Sequence, residues 1–543
     1  MTHYDKSTPV ITLRLLQQLK QCGSRFKTAD STGAKLSGRD LLIRTLALRR
    51  YLLREVLEPD EKRVGIFLPP TVPAVATNLA VALADRVSVN LNYTVTSAML
   101  KQCCEKAGLR HVITSRKFIE KVGLDVGCPM IFLEDIKDRI TLGDKLSAVC
   151  NTRLRSASGL HRALGLQHQT HDEPVTVIFT SGSTGVPKGV VLSGKNITSN
   201  IIGINDTIHL NEKDTVLGVL PFFHSFGFTI ALWAGMSLPC SVVYHFSPLE
   251  ARPIAKLAED YRTTVLLATP TFLRSYLRRI EPHQFQWLEI VVLGAEKMPL
   301  GLADEFEHKF NIRPIEGYGT TELSPLVSVN VPLNRAGAAG SSRIREGSVG
   351  LPMTDVQARI VSIDTDQALP TGQTGLLEIA GPNVMEGYLD QPELTAQVMH
   401  DGWYRTGDVG FLDSDGFIHI TGRMSRFSKI GGEMVPHIQI EETLTRLTGI
   451  HDDGSMRVAV TAVPDEKRGE RLVVLHTELP FPKAELIRQL SREGLPNLFL
   501  PSEDSYVQVE AIPVLGSGKL DLKAMRDVAE AQVLTMTPRT RGE

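Results

Sequence analysis

Residues 180–189 read Thr-Ser-Gly-Ser-Thr-Gly-Val-Pro-Lys-Gly. Hydroxyls, glycines and one lysine at this density form a loop suited to a polyphosphate. Small residues let backbone N–H groups approach phosphate oxygens, hydroxyls add donors, and Lys188 adds charge. The run departs from a Walker A loop, which needs Gly before the Lys and Ser or Thr after it. Here Pro187 precedes Lys188 and Gly189 follows it. A plain Gly/Ser surface loop is the bland alternative, and further runs argue against it.

The second run is Glu316, Gly317, Tyr318, Gly319, Thr320, Thr321, Glu322. An aromatic between two glycines can lie flat on a planar base, Thr321 offers a hydroxyl donor, and Glu322 offers a hard oxygen for Mg²⁺ beside phosphates. A third run places Asp408 after Gly407, where a carboxylate can accept bonds from vicinal ribose hydroxyls. A fourth, Gly422 and Arg423, leads through Ser425 and Arg426 to the glycine pair Gly431 and Gly432. Lastly, Gly516, Ser517 and Gly518 carry Lys519 at a loop tip just before a helix starting near Leu520. Each run alone also fits an ordinary turn or solvated loop.

These residues need elements to hold them. Short apolar, β-prone runs (64–68, 87–91, 175–179, 190–192, 215–220, 241–244, 264–268, 290–293) alternate with helical patterns such as 73–85, which implies crossover units and a largely parallel sheet. Residues 138–173 read as a polar, irregular surface connection, and 334–347 as a mobile loop. Turn signals at Gly372, Gly375 and 413–416 suggest a small antiparallel barrel or sheet, and the α/β pattern returns beyond 425. A length of 543 residues is too great for one core. The expected architecture is an α/β chain. It has a large N-terminal domain (1–422) of stacked mixed sheets with helices and a small barrel-like subdomain, a hinge linker (423–427), and a small mobile α+β domain (428–543).

The charge balance, 59 basic against 61 acidic residues, argues against a nucleic-acid binder. No stretch reaches the roughly 18 apolar residues of a spanning helix, so the expected setting is cytoplasmic, with at most peripheral membrane contact. The six cysteines form no CxxC pair and read as reduced structural thiols.

In order and spacing, the four runs and the lysine resemble the adenylate-forming superfamily of acyl-CoA synthetases, luciferases and peptide-synthetase adenylation domains, over residues 35–526. Residues 220–227, which contain His224, and 327–332 look most like long-chain fatty acyl-acyl carrier protein synthetases. The resemblance implies two steps. A carboxylate attacks the α-phosphorus of ATP and pyrophosphate leaves; a thiol of acyl carrier protein or CoA then attacks the acyl adenylate, releasing AMP. It implies ATP and Mg²⁺ as cofactors and a fatty acid as substrate, with a medium-chain or aryl acyl-CoA ligase as the alternative.

Residue by residue, the resemblance implies that Thr180, Ser181, Gly182, Ser183, Thr184 and Lys188 cradle the phosphates. Gly294, Ala295 and Glu296 would pass alongside the adenine, with Tyr318 stacked on it within the Glu316, Gly317, Gly319 and Thr320 run. Thr321 would contact the α-phosphate, Glu322 hold Mg²⁺, Asp408 and Arg423 take the ribose, His224 gate the acyl carboxylate, and Lys519 bridge carboxylate and α-phosphate. The family's usual hinge Asp or Lys is Ser425 here, and Arg423 with Arg426 also fits a solvated face. The uncharged stretch 226–239, with Trp233, Gly235 and Met236, is expected to line an acyl pocket. A basic cluster, Lys467, Arg468 and Arg471, suggests docking of an acidic carrier protein. A non-catalytic nucleotide-binding relative is the rival from another class.

Overall fold

The computed structural model describes residues 4–5, 7–181, 187–335, 344–431, 433–451, 455–465, 468–514 and 520–536. Gly182, Ser183, Thr184, Gly432, Lys467, Lys519 and most of the 334–347 loop lie outside the described residues, as does the side chain of Ser181. The chain divides into two compact units. The larger takes in the chain up to Thr180, Pro187–Thr406 and Phe411–His419; the smaller holds Gly407–Gly410 and everything from Ile420 onward.

In the larger unit, the expected alternation folds into two large sheets. The first has nine strands among the described residues. Its centre is parallel: Ile290–Leu293 pairs with Val265–Ala268, which pairs with Thr215–Gly218, and Ile315 continues the series beside Val292. These strands are buried on both faces, which is why they read as near-continuous apolar runs. Aromatic residues Tyr276, Phe285 and Phe306 help fill the core on one side. The second sheet has seven strands, with Arg63–Ile66, Val87–Asn90 and Val112–Thr114 in parallel. The strand Pro187–Ser193 carries Lys188 at its start, and Gly387–Tyr388 pairs antiparallel with its Val190 and Val191. A third, smaller sheet contains Gln357–Val361, Gly375–Ala380 and Trp403–Leu412.

One surface expectation changes. Residues 138–173 are largely helical, with Leu142–Leu154 and Ala157–Ala163 both N-capped by hydroxyl side chains. The described ends of the 334–347 loop are pinned: Arg335 is buried and ion-paired to Asp214 at 2.6 Å, and Arg345 pairs with Asp413 at 2.9 Å.

In the smaller unit, Val458–Asp465 and Gly469–His476 form a long antiparallel pair. Val458, Val460, Leu472 and Val474 face helices His437–Thr448 and Lys483–Arg492, while Ala459, Val463, Val473 and Leu475 face Leu522–Met536. Period-two alternation thus builds two cores on one sheet. Arg426, for which a solvated face is the alternative reading, is buried and bonds Glu441 at 2.7 Å. Burial raises the pKa of the Glu441 carboxyl despite Arg426.

Candidate active site

In the larger unit, the expected adenine residues follow the parallel strand Ile290–Leu293 and lie along the neighbouring strand Ile315–Gly319, toward the carboxyl ends where open α/β sheets hold ligands. Gly294 follows Ile290–Leu293, and a Cβ added to it would lie 3.2 Å from Phe226 and 3.5 Å from the Gly317 carbonyl. Phe226 and the Gly317 carbonyl therefore pack against Gly294, and a side chain there would be crowded. Ala295 next to it takes a left-handed backbone (φ 69°), and Glu296 accepts from the Thr271 hydroxyl at 2.8 Å.

The strand Ile315–Gly319 turns back onto Leu326–Val329, with its register shifting between Tyr318 and Gly319. A Cβ on Gly319 would stand 1.9 Å from the Pro325 carbonyl, the same carbonyl that accepts from the Thr320 N–H at 3.1 Å. Glycine is obligatory there because the two backbones touch. The half-buried Glu316 accepts from the Met298 N–H at 3.1 Å, and burial raises its pKa. The Thr320 hydroxyl is buried without a hydrogen-bond partner. Thr321 is reached by the Ser225 hydroxyl at 3.2 Å, which brings the 220–227 segment to the phosphate-side residues. His224 is exposed and its ring packs on Phe223, centroids 4.5 Å apart.

Glu322 is held by a residue that sequence reading missed. The Tyr388 hydroxyl donates to Glu322 Oε1 at 2.9 Å, and the Lys188 ammonium lies 5.4 Å over the same ring. Tyr388 thereby joins the phosphate-loop lysine to the candidate Mg²⁺ ligand. Tyr404 is buried beside them; burial, then Glu322 and Tyr388, holds its phenol well above the ordinary range and hence protonated.

In the smaller unit, Asp408 is buried after Gly407 (φ 76°), and Arg423 Nε lies 3.6 Å from its Oδ1. The Gly422–Arg423 pair has a local reason: a Cβ on Gly422 would lie 2.5 Å from the Phe427 ring.

Trp233, Gly235 and Met236 do not line an open pocket. They are fully buried in a segment that begins as a π-helix, Phe226–Ala234. A Cβ on Gly235 would meet Val242 at 2.5 Å, and the Tyr244 hydroxyl bonds the Ala231 carbonyl at 2.7 Å. Core packing accounts for the absence of charge in 226–239.

The residues present fit ATP and Mg²⁺. Thr320 offers a buried hydroxyl lacking a partner, and Glu322 a carboxylate oxygen held by the Tyr388 hydroxyl. Among the described residues no group of three or more His, Cys, Asp or Glu could hold a metal alone. Mg²⁺ bound by one carboxylate and substrate phosphates needs no such group.

The same fold occurs in the ATP-bound MatB of Rhodopseudomonas palustris, with a TM-score of 0.79 and 24% identity over 95% of this chain and 98% of that one. It also occurs in the o-succinylbenzoate coenzyme A synthetase of Bacillus subtilis in complex with ATP and magnesium ion, with a TM-score of 0.76 and 20% identity over 94% and 98%. The likeness to these two structures is one of fold. A family model for AMP-binding enzymes matches residues 17–389, and the chain belongs to that family. Curated relatives include the long-chain-fatty-acid–CoA ligase of Bacillus subtilis (strain 168), 27% identical over 85% of both chains. Another is 4-coumarate-CoA ligase 1 of Narcissus pseudonarcissus, 26% identical over 85% of this chain and 83% of the relative.

Proposed function

We propose that this chain activates a fatty acid with ATP, through an acyl adenylate, and transfers the acyl group to CoA with release of AMP and pyrophosphate. The observation that carries the reading is the cluster in which Tyr388 joins Glu322, at 2.9 Å, to Lys188, at 5.4 Å from its ring centroid. Such a cluster supplies positioned charge for an in-line displacement, which asks little covalent work of the protein. Lys188 acts on the phosphates together with Thr180, Ser181, Gly182, Ser183 and Thr184. Tyr318 stacks on the base beside Gly294, Ala295 and Glu296, and Thr321 donates toward the α-phosphate. Asp408 and Arg423 take the ribose, and His224 stands beside the acyl carboxylate. Mg²⁺ at Glu322 would neutralise phosphate charge, and Tyr388 fixes that carboxylate.

The fatty-acid ligase among the relatives supports the acyl class, and both curated relatives named above act with CoA. The basic cluster that suggested a carrier protein gives little support: Lys467 lies outside the described residues, and Arg471 pairs with Asp504 at 3.4 Å.

The test is AMP and thioester release with ATP, Mg²⁺ and acids from acetate to palmitate plus 4-coumarate, offered with CoA or holo-acyl carrier protein. AMP formation should climb with chain length, each buried CH₂ adding about 0.8 kcal/mol, or roughly fourfold, until the pocket is full. Glu322→Gln should abolish it. No AMP with any acid would overturn the adenylation reading; a preference for 4-coumarate or for carrier protein would replace the substrate or the acceptor.

We further propose that residues 423–427 are a hinge between residues 1–422 and 428–543. Ser425 lies exposed in the short helix Met424–Arg426. Proline there fixes φ and removes an N–H, so Ser425→Pro should slow thioester formation more than adenylation. Wild-type rates in both half-reactions would place the hinge elsewhere.

A further inference from the structure

We infer that the outer face of the helix Leu142–Leu154 docks on an anionic lipid surface. The helix is turned inside out relative to an ordinary surface helix. Its buried side carries Asp144, Ala148 and Thr152, while Leu142, Leu146 and Leu154 are 72%, 57% and 81% exposed. An ordinary amphipathic helix puts its apolar stripe toward the core. Leu53, on the neighbouring helix Gly38–Glu55, adds a fourth leucine at 38% exposure.

This orientation is fixed. Asp144 bonds Arg50 at 2.8 Å and Arg54 at 2.5 Å and forms a capping box with Thr141. At the other end, the Lys20 ammonium donates to the Thr152 carbonyl at 2.7 Å. Turning the leucines inward would strip Asp144 of both arginines and leave a buried charge unpaired, which is strongly unfavourable.

Charge selects the occupant. The only acid of the helix, Asp144, is buried and engaged by two arginines, so its exposed charges, Lys145 and Arg153, are cationic, and Arg155 follows directly. Arg50 and Arg54 beside Leu53 are offset by Asp144 and Glu55, so the excess positive charge is that of Lys145, Arg153 and Arg155. The chain as a whole carries a net charge of −2, so this face runs against the molecule's average. Exposed leucines among cations match the acyl boundary and headgroups of an anionic bilayer, a surface contact in which the helix lies flat. No helix among the described residues is long and apolar enough to cross a membrane. The inference stands independently of the substrate reading.

The experiment is co-sedimentation of the full chain with phosphatidylcholine vesicles, with and without phosphatidylglycerol, at low and moderate salt. Binding to the phosphatidylglycerol vesicles is expected, weakening as salt rises. Leu142→Asp, Leu146→Asp and Leu154→Asp combined should weaken it by about tenfold or more, with an unchanged melting temperature showing that the fold survives. Lys145→Glu with Arg153→Glu should remove the preference for the anionic vesicles while leaving the leucines in place. Absence of vesicle binding, or equal binding by wild type and the triple variant, would overturn the inference. So would concentration-dependent self-association that the triple variant loses, which would assign the face to a second copy of the chain.

Discussion

Lys519→Ala should lower pyrophosphate release by about 10²–10³ while conversion of supplied acyl adenylate to thioester stays near the wild-type rate. Lys519 follows Gly516, Ser517 and Gly518, a run whose small residues suit a loop. We propose that this ammonium bridges the attacking carboxylate and the α-phosphate, two anions that would otherwise repel. Charge is needed at that point only while the P–O bond forms, so the thiol step should not depend on it. Pre-steady-state pyrophosphate release, run beside single-turnover thioester formation from synthetic acyl adenylate, separates the two. Equal loss in both would mean that Lys519 serves folding or general nucleotide binding.

The second large effect is expected at Gly319. Its added Cβ would sit 1.9 Å from the Pro325 carbonyl oxygen and 2.7 Å from the carbonyl carbon. Backbone atoms cannot rotate aside as a side-chain tip can, so Gly319→Ala must separate Ile315–Gly319 from Leu326–Val329. Overpacking of this kind typically costs about 1–3 kcal/mol of stability. The loss of adenylation should exceed what that instability explains, because Tyr318 and Thr320 flank the displaced residue. We expect kcat/KM for adenylation to fall by about 10² or more at temperatures where the variant remains folded, since misplacement of about 1 Å can cost that much. A variant that melts early yet turns over normally when cold would show that this turn supports the fold alone.

What could be read from the chain, and what could not, divides by range. The strands 241–244 and 290–293 fall where apolar runs bounded by polar residues put them. Gly319 and Gly294 stand out because each glycine records a local close approach. Tyr388 gave no such sign. Its hydroxyl reaches Glu322 only because Gly387 and Tyr388 pair with Val191 and Val190, nearly two hundred residues earlier. A lone Gly-Tyr pair carries no trace of that. The 226–239 stretch shows the opposite failure, since lack of charge is shared by ligand pockets and by cores. Buried Trp233, with Gly235 against Val242, belongs to a core. The helix Leu142–Leu154 escaped because its apolar residues lie on the outer face, at Leu142, Leu146 and Leu154, and on the buried side, at Ala148, which blurs the periodic pattern by which helices are found.

The π-helix Phe226–Ala234 makes the number of residues in that segment matter as much as their kinds. A π turn holds one residue more than an α turn, and it is how a helix absorbs a single insertion without breaking. Deleting one residue would let the segment close to α-geometry with both flanks in place. Downstream, Gly235 would stay against Val242, and upstream Ser225 would keep its 3.2 Å contact with Thr321. A further inserted residue has no such outlet and would turn one flank against the other by about 100°. Substitutions along this segment can be accepted one at a time, and its length can fall by one residue more readily than it can grow.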